Sequence, residues 1–333
     1  MLINANALSI PLAAKSVHTI VTSPPYYGLR DYGVDGQLGL EPTPDEYIAN
    51  LVAVFRECKR ILRDDGTLWV NIGDSYASMK SRYNQKAQNL NGGKSQDNVF
   101  QGNKTDLYHH PELGIKDKDL IGIPWMLAFA LRADGWYLRQ DIIWAKPNPM
   151  PESVKDRCTK SHEYIFLLSK SAHYYYDNEA IKELATGYDG RKDTKYKGGP
   201  KDMAGGAHER WQYKNLQPDG QQPNTMHLNR LVGEEYMSPV RNKRDVWTVT
   251  TKPYKGAHYA TFNPELIKPC ILAGAPEGGI VFDPFVGSGT TVATAIQLGR
   301  KGIGIDLSFK YLQENAKARV ESAELPLLDF IEQ

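Results

Sequence analysis

The sequence predicts an α/β fold, a mostly parallel sheet flanked by helices. Three observations predict it. Short β-branched runs alternate with segments of helical period along the chain. The stretch from Ile280 to Ile305 carries a compact strand, glycine turn, helix and strand, the pattern of a βαβ unit. With 333 residues, 41% hydrophobic and 24% charged, the chain can bury the core of one large domain with an elaboration, or of two modest domains.

The elements follow in order. His18 to Thr22 (HTIVT) is a short β-branched run that ends at Pro-Pro, as a buried strand entering a loop would. From Asp45 to Leu62, residues Ile48, Leu51, Val52, Phe55, Cys58, Ile61 and Leu62 recur at helical spacing. Thr43 is placed to cap that helix, Pro44 fills its first position, and Glu46 completes a capping box. Asp64-Asp65-Gly66 is expected to end it, with Thr67 to Ile72 as the next strand. The polar stretch from Ser78 to Asp119 has weak periodicity and reads as an insertion or mobile loop. Pro124 to Ala133 is a helix closed by Gly135. Trp136 to Trp144 and Glu163 to Leu168 are two strands joined by a Pro-rich loop, an antiparallel addition at the sheet edge. From His173 to about Thr251 the chain is polar, with scattered Tyr, Trp, Gly, Lys and Arg and no strong period, and reads as a separate recognition region. Ile280 to Phe282, Thr290 to Leu298 and Gly302 to Ile305 close the βαβ unit. Phe309 to Val320 forms a last amphipathic helix.

Several classes are excluded. No run of about 18 apolar residues exists, so no membrane span is expected. Met1 to Pro11 lacks a basic segment followed by an apolar one, which argues against a signal peptide. Cys58, Cys158 and Cys270 are odd in number and far apart, which argues against a disulfide framework and against a metal site, and fits a reducing cytoplasm. A formal net charge of +1 means that any nucleic-acid footprint must be local.

Two loops carry the chemistry. In Asp283-Pro284-Phe285-Val286-Gly287-Ser288-Gly289-Thr290, two glycines let the backbone turn tightly and approach a ligand. Asp306 ends the following strand, 19 residues beyond Gly287, where a carboxylate can accept hydrogen bonds from a ribose diol. A third glycine and a Gly-Lys-Ser/Thr are both missing, which points to an adenosyl group rather than a pyrophosphate. The alternative is a tight strand-to-helix turn that holds no ligand. The second loop is Ser23-Pro24-Pro25-Tyr26. Its prolines remove two backbone donors, its carbonyls stay free to accept, Ser23 adds an acceptor, and Tyr26 adds an aromatic face for a base. These features suit a pocket for a planar ring bearing an amino group; the alternative is a Pro-rich turn with a buried Tyr. Arg241, Lys243 and Arg244 form one basic cluster. Lys195, Lys197, Arg210 and Trp211 lie in a second basic and aromatic stretch, and both could contact phosphates and bases. Arg30 follows the Tyr loop and could hold a phosphate.

Thr22-Ser23-Pro24-Pro25-Tyr26 resembles motif IV of the DNA amino-methyltransferases, and Asp283 to Gly289 resembles their motif I. Motif IV precedes motif I, an order similar to the β group of that family, a circular permutation of the Rossmann-like methyltransferase fold. The resemblance covers nearly the whole chain. It implies S-adenosylmethionine as cofactor, held by Asp283, Phe285, Gly287, Gly289, Thr290 and Asp306. Phe262 in the helix before motif I and Asn6, where the family often has Asp, complete the set. It implies double-stranded DNA as substrate, a flipped target base, and Ser23, Pro24, Pro25 and Tyr26 as the catalytic loop. Residues 1–172 would be the catalytic half, with the polar insertion at about 78–119. Residues 173–251 would form the target-recognition region and 252–333 the cofactor half. Ser before Pro-Pro leans toward cytosine N4, and adenine N6 is the alternative. RNA methylation and a non-catalytic DNA-binding module remain open. A cognate restriction endonuclease is a partner that the resemblance allows, and the protein is expected to be a monomer or homodimer. Cys270 reads as buried core rather than as the nucleophile that carbon-5 chemistry needs.

Overall fold

The structure is a computed structural model that describes residues 1–29, 31, 33–77, 113–184, 240–251 and 263–324. The chain divides into two compact units, one of Met1–Ala180 with Arg244–Gln333 and one of Ile181–Lys243. Among the described residues the first is built on an eight-stranded sheet. Its strands are β1 (Leu2–Asn4), β2 (Val17–Thr22), β3 (Leu62–Ile72), β4 (Tyr137–Ala145), β5 (His162–Ser169), β8 (Val246–Thr248), β9 (Ile280–Asp283) and β10 (Lys301–Asp306). In the second unit the described residues include β6 (Glu183–Leu184) and β7 (Val240–Arg241), paired antiparallel.

The sheet order is β1-β10-β9-β2-β3-β5-β4-β8. All neighbours pair in parallel except β5, which is antiparallel to both β3 and β4. The predicted antiparallel pair therefore stands at that end of the sheet, and β8 pairs outside it. β1 and β8 have three residues each, too short for a sequence pattern, and owe their place to their neighbours.

The helix α1 (Pro44–Ile61) forms as its sequence demands. Thr43 caps it, accepting from the Glu46 N–H at 3.2 Å, and Tyr47, Leu51, Val54, Phe55 and Cys58 are buried along one stripe. Asp64-Asp65-Gly66 does not break the chain into a separate loop. β3 begins directly at Leu62, and the extra residues are taken up by a register shift against β2 between Val17 and Thr19. The helix α2 (Ile123–Ala133) ends with Gly135 at φ +86°. The helix α3 (Pro264–Gly274) is capped by Asn263 and buries Cys270. α4 (Thr290–Gln297) links β9 to β10. The last helix, α5, differs from a single amphipathic run: Phe309–Tyr311 leads into a π turn, Leu312–Ala316, and then Lys317–Glu324.

The core lies between the sheet and its helices, with Ile20, Leu68, Val70, Phe166 and Phe282 on the strands packed by Leu51, Phe55, Leu127 and Leu131. From β9 the chain returns through α4 to β10 on one side. From β2 it returns through α1 to β3 on the other. The carboxyl ends of β9 and β2 are thus the topological switch point of the sheet, where open α/β sheets leave a ligand crevice.

Candidate active site

Both loops singled out by sequence leave the sheet at this switch point, one from β9 and one from β2. A bond between them fixes their spacing. Thr22, the last residue of β2, donates its hydroxyl to Asp283 Oδ1 at 2.6 Å across 261 residues of sequence. The same carboxylate accepts from the Phe285 N–H at 3.0 Å and from the Thr291 hydroxyl at 2.7 Å. Asp283 is fully buried, and burial pushes its pKa up to about 6, against the pull of these donors. With both oxygens engaged, its side chain acts as a bolt between the loops.

The glycine turn takes left-handed backbone. Gly287 has φ +49° and Gly289 φ +78°, a region that suits glycine. A Cβ on Gly289 would also meet Ala316 of α5 at 3.1 Å. Asp306 stands at the end of β10, half-buried, with its Oδ1 accepting from the Ser308 N–H at 2.9 Å. Burial raises its pKa, and the Ser308 and Gly287 N–H groups draw it back. A carboxylate held this way beside an open glycine backbone suits the two hydroxyls of a ribose. Thr290 begins α4, and its hydroxyl accepts from Arg319 of α5. Asn6 lies just beyond β1 on the same rim, exposed, with Oδ1 accepting from the Leu8 N–H at 2.9 Å.

The Ser-Pro-Pro-Tyr loop is pinned from beneath. The Tyr47 hydroxyl of α1 donates to the Pro25 carbonyl at 2.7 Å, and the Leu29 N–H donates to the Tyr26 carbonyl at 3.2 Å. Among the described residues no donor reaches the Pro24 carbonyl, and the half-buried Ser23 side chain hydrogen-bonds the Tyr26 hydroxyl, so both oxygens stand at the rim with acceptor capacity to spare. Tyr26 is held at its far end. Its hydroxyl donates to Glu163 Oε2 at 2.7 Å, with Asn71 Oδ1 at 3.3 Å. Asn71 Nδ2 donates to the same carboxylate at 3.2 Å, and Lys146 forms an ion pair with its other oxygen. Burial, and then the charge of Glu163, hold the Tyr26 hydroxyl well above its ordinary pKa. Gly73 makes room for the ring: a Cβ there would lie 2.7 Å from Tyr26 Cε2. Beside it, Asp74 Oδ1 accepts from the Gly122 and Ile123 N–H groups, both at 3.0 Å, and so caps α2.

The structure thus gathers Ser23, Pro24, Pro25, Tyr26, Asp283, Phe285, Gly287, Gly289, Thr290, Asp306 and Asn6 on one rim of the sheet. Arg241 lies in the second unit and is ion-paired with Glu183 at 3.0 Å; Lys243 belongs to that unit too, and Arg244 begins the final segment of the first. Arg30, Lys195, Lys197, Arg210, Trp211 and Phe262 lie outside the described residues. From sequence, Gly66 to Asp74 resembles the strand after motif IV and Trp144 to Pro149 with His162-Glu163 resembles later catalytic-side motifs, but the sequence assigns no role to Asn71, Lys146 or Glu163 and does not single out Arg319. One signal was available: Glu163 is an ionisable residue near the start of β5, a strand that is otherwise largely apolar.

Comparison with known proteins shows the family and the fold. The family model of N6/N4 methyltransferases, described as DNA methylase, matches residues 17–317. The Type II methyltransferase M.Cfr9I of Citrobacter freundii is 44% identical over 313 residues, 93% of this chain and 84% of that protein. M.SmaI of Serratia marcescens is 44% identical over 292 residues, 88% of this chain and 80% of its own length. Among solved structures, a putative DNA modification methylase of Thermus thermophilus complexed with S-adenosyl-L-methionine shares the fold at a TM-score of 0.55 and 20% identity, covering 97% of this chain and 93% of that one. The PvuII DNA methyltransferase (cytosine-N4-specific) does so at 0.55 and 14%, covering 98% and 92%. The chain belongs to the S-adenosylmethionine-dependent DNA amino-methyltransferases, the N6/N4 family of DNA methylases.

Proposed function

We propose that this enzyme methylates the N4 amino group of a cytosine flipped out of double-stranded DNA. The observation that carries the reading is the Ser23-Pro24-Pro25-Tyr26 loop, bolted to the glycine turn by the Thr22–Asp283 bond. S-adenosylmethionine supplies a methyl carbon made electrophilic by its sulfonium. Asp306, the Gly287–Gly289 turn and Asn6 hold it. Ser23 Oγ and the Pro24 carbonyl accept the two amino N–H groups and turn the nitrogen lone pair out of conjugation with the ring. The Tyr26 ring stacks on the base, steadied by Glu163. On methyl transfer the bound cofactor would leave as the neutral thioether, and the methylated nitrogen would release one N–H proton to solvent. The rate comes from positioning and from excluding water, without a covalent enzyme intermediate.

Ser23, rather than Asp or Asn, before Pro-Pro favours cytosine. Residues 173–251 read the target, between a catalytic half at 1–172 and a cofactor half at 252–333. Arg30, Lys195, Lys197, Arg210, Trp211, Arg241, Lys243 and Arg244 contact the DNA. The Type II designation of the relatives fits work in the cytoplasm alongside a restriction endonuclease of the same specificity.

The test is nucleoside mass spectrometry of DNA from a host without its own DNA methylation that expresses the protein. N4-methylcytosine is the expected product, and Ser23→Ala should abolish it while the variant still binds the cofactor. N6-methyladenine would keep the class and overturn the base. Finding neither would overturn the reading.

A further inference from the structure

We infer that Met150 is an intercalating residue, entering the base stack of double-stranded DNA to fill the gap left by the flipped base. The inference rests on the base-flipping reading above.

Met150 sits in the connection from β4 to β5. β4 runs with the parallel strands and β5 against them, so this connection leaves and rejoins the sheet on the rim that carries Tyr26. Its two feet belong to the site itself. Lys146, the first residue past β4, and Glu163, near the start of β5, form the ion pair that holds the Tyr26 hydroxyl. Met150 follows Lys146 closely, within the same proline-rich run.

The connection is built as a rigid arch. The run Lys146-Pro147-Asn148-Pro149-Met150-Pro151 has proline at alternate positions, so φ is fixed on both sides of the methionine. Asn148 is tied to Thr251 in both directions, accepting from its N–H at 2.9 Å and donating to its carbonyl at 3.0 Å. Further along, Arg157 pairs with Glu152 at 2.6 Å and stacks 3.8 Å over the Tyr76 ring. Within this run Met150 is 84% exposed, more than any other large apolar side chain among the described residues.

An anchored loop that leaves its large apolar side chain in water forgoes the stabilisation that burial would give. That arrangement makes sense where the side chain is buried only on binding. Extruding a base leaves a gap, and proteins that unstack DNA fill such gaps with apolar wedges, methionine among them. The thioether is slim, unbranched and polarisable, which suits contact with aromatic base faces. The prolines reduce the ordering cost at the moment of insertion.

The test compares the wild type with Met150→Ala and Met150→Leu on two duplexes carrying the mapped recognition site. One is fully paired; the other has an abasic position opposite the target base. Single-turnover methylation reports chemistry, and the fluorescence of 2-aminopurine placed beside the target cytosine in otherwise identical duplexes reports flipping. Met150→Ala should lose roughly tenfold or more in rate on the paired duplex, with a matching loss of the flipping signal. Met150→Leu should retain most of the rate, and the abasic duplex should restore Met150→Ala. An unchanged rate on the paired duplex, or an equal loss on both duplexes, would overturn the wedge. A wild type that methylates DNA without any flipping signal would instead overturn the reading beneath it.

Discussion

Single residues in this site act mainly through one another, and two of these links make predictions. Asp283 is buried with a pKa raised from 3.8 to about 6. Because the folded value exceeds the unfolded one, the protonated carboxyl favours the fold. That stabilisation is complete below about pH 4 and is lost as the pH rises through about 6, a change of roughly 3 kcal/mol from this group alone. Asp283→Asn keeps the acceptor for Thr22 and the Phe285 N–H but cannot ionise. Denaturant melts from pH 4 to 7.5 should show the wild type losing stability relative to Asp283→Asn as pH rises; a constant difference would refute the assignment. The second link is Tyr26 to Glu163. Removing a hydrogen bond to a charged partner costs about 1.5–3 kcal/mol, so Tyr26→Phe should lower kcat about tenfold or more while the Kd for S-adenosylmethionine stays put. Glu163→Gln should lower kcat as well, and the double variant should fall less than the product of the two single effects. Independent effects would mean that Glu163 serves the fold and not the Tyr26 ring.

Elements, not residues, decide how closely the cofactor loop can lie on the sheet. β10 reads Lys-Gly-Ile-Gly-Ile-Asp, and both glycines face the turn and helix that follow β9. A Cβ on Gly302 would lie 2.6 Å from the Val292 carbonyl oxygen, and one on Gly304 would lie 2.3 Å from a Val286 methyl. The missing side chains are what let α4 and the turn settle on the strand. Gly304→Ala should therefore cost about 1–3 kcal/mol by overpacking. It should also weaken cofactor binding, since Val286 must move and carries Gly287 with it; calorimetric titration would show whether the turn shifts. The antiparallel β5 has a comparable role on the catalytic side. Because it runs against its neighbours, its first residues, not its last, arrive at the carboxyl rim, which is how Glu163 comes to face Tyr26. The π turn in α5 belongs to the same scale: Arg319 beyond it reaches back to Ser288 and Thr290, a contact that no helical pattern announces.

At the scale of the whole molecule, the first unit joins segments from both ends of the chain, so that motifs 261 residues apart share one carboxylate. Among the described residues no helix is long and apolar enough to cross a membrane. By itself the sequence determined the class of the fold, the two loops and their order. These depend on local rules: periodicity, caps such as Thr43, prolines that strip donors, and glycines that permit left-handed backbone. It could also place Cys270 in the core, because its helix has an apolar stripe. Only the tertiary structure decided that Asp283 would be a bolt, that Lys146, Asn71 and Glu163 would hold Tyr26, and that Arg241 would be engaged by Glu183. Each of those facts is a meeting of side chains distant in sequence. Such meetings are set by strand order and register, which follow from how the whole sheet packs and not from the pattern within any one segment.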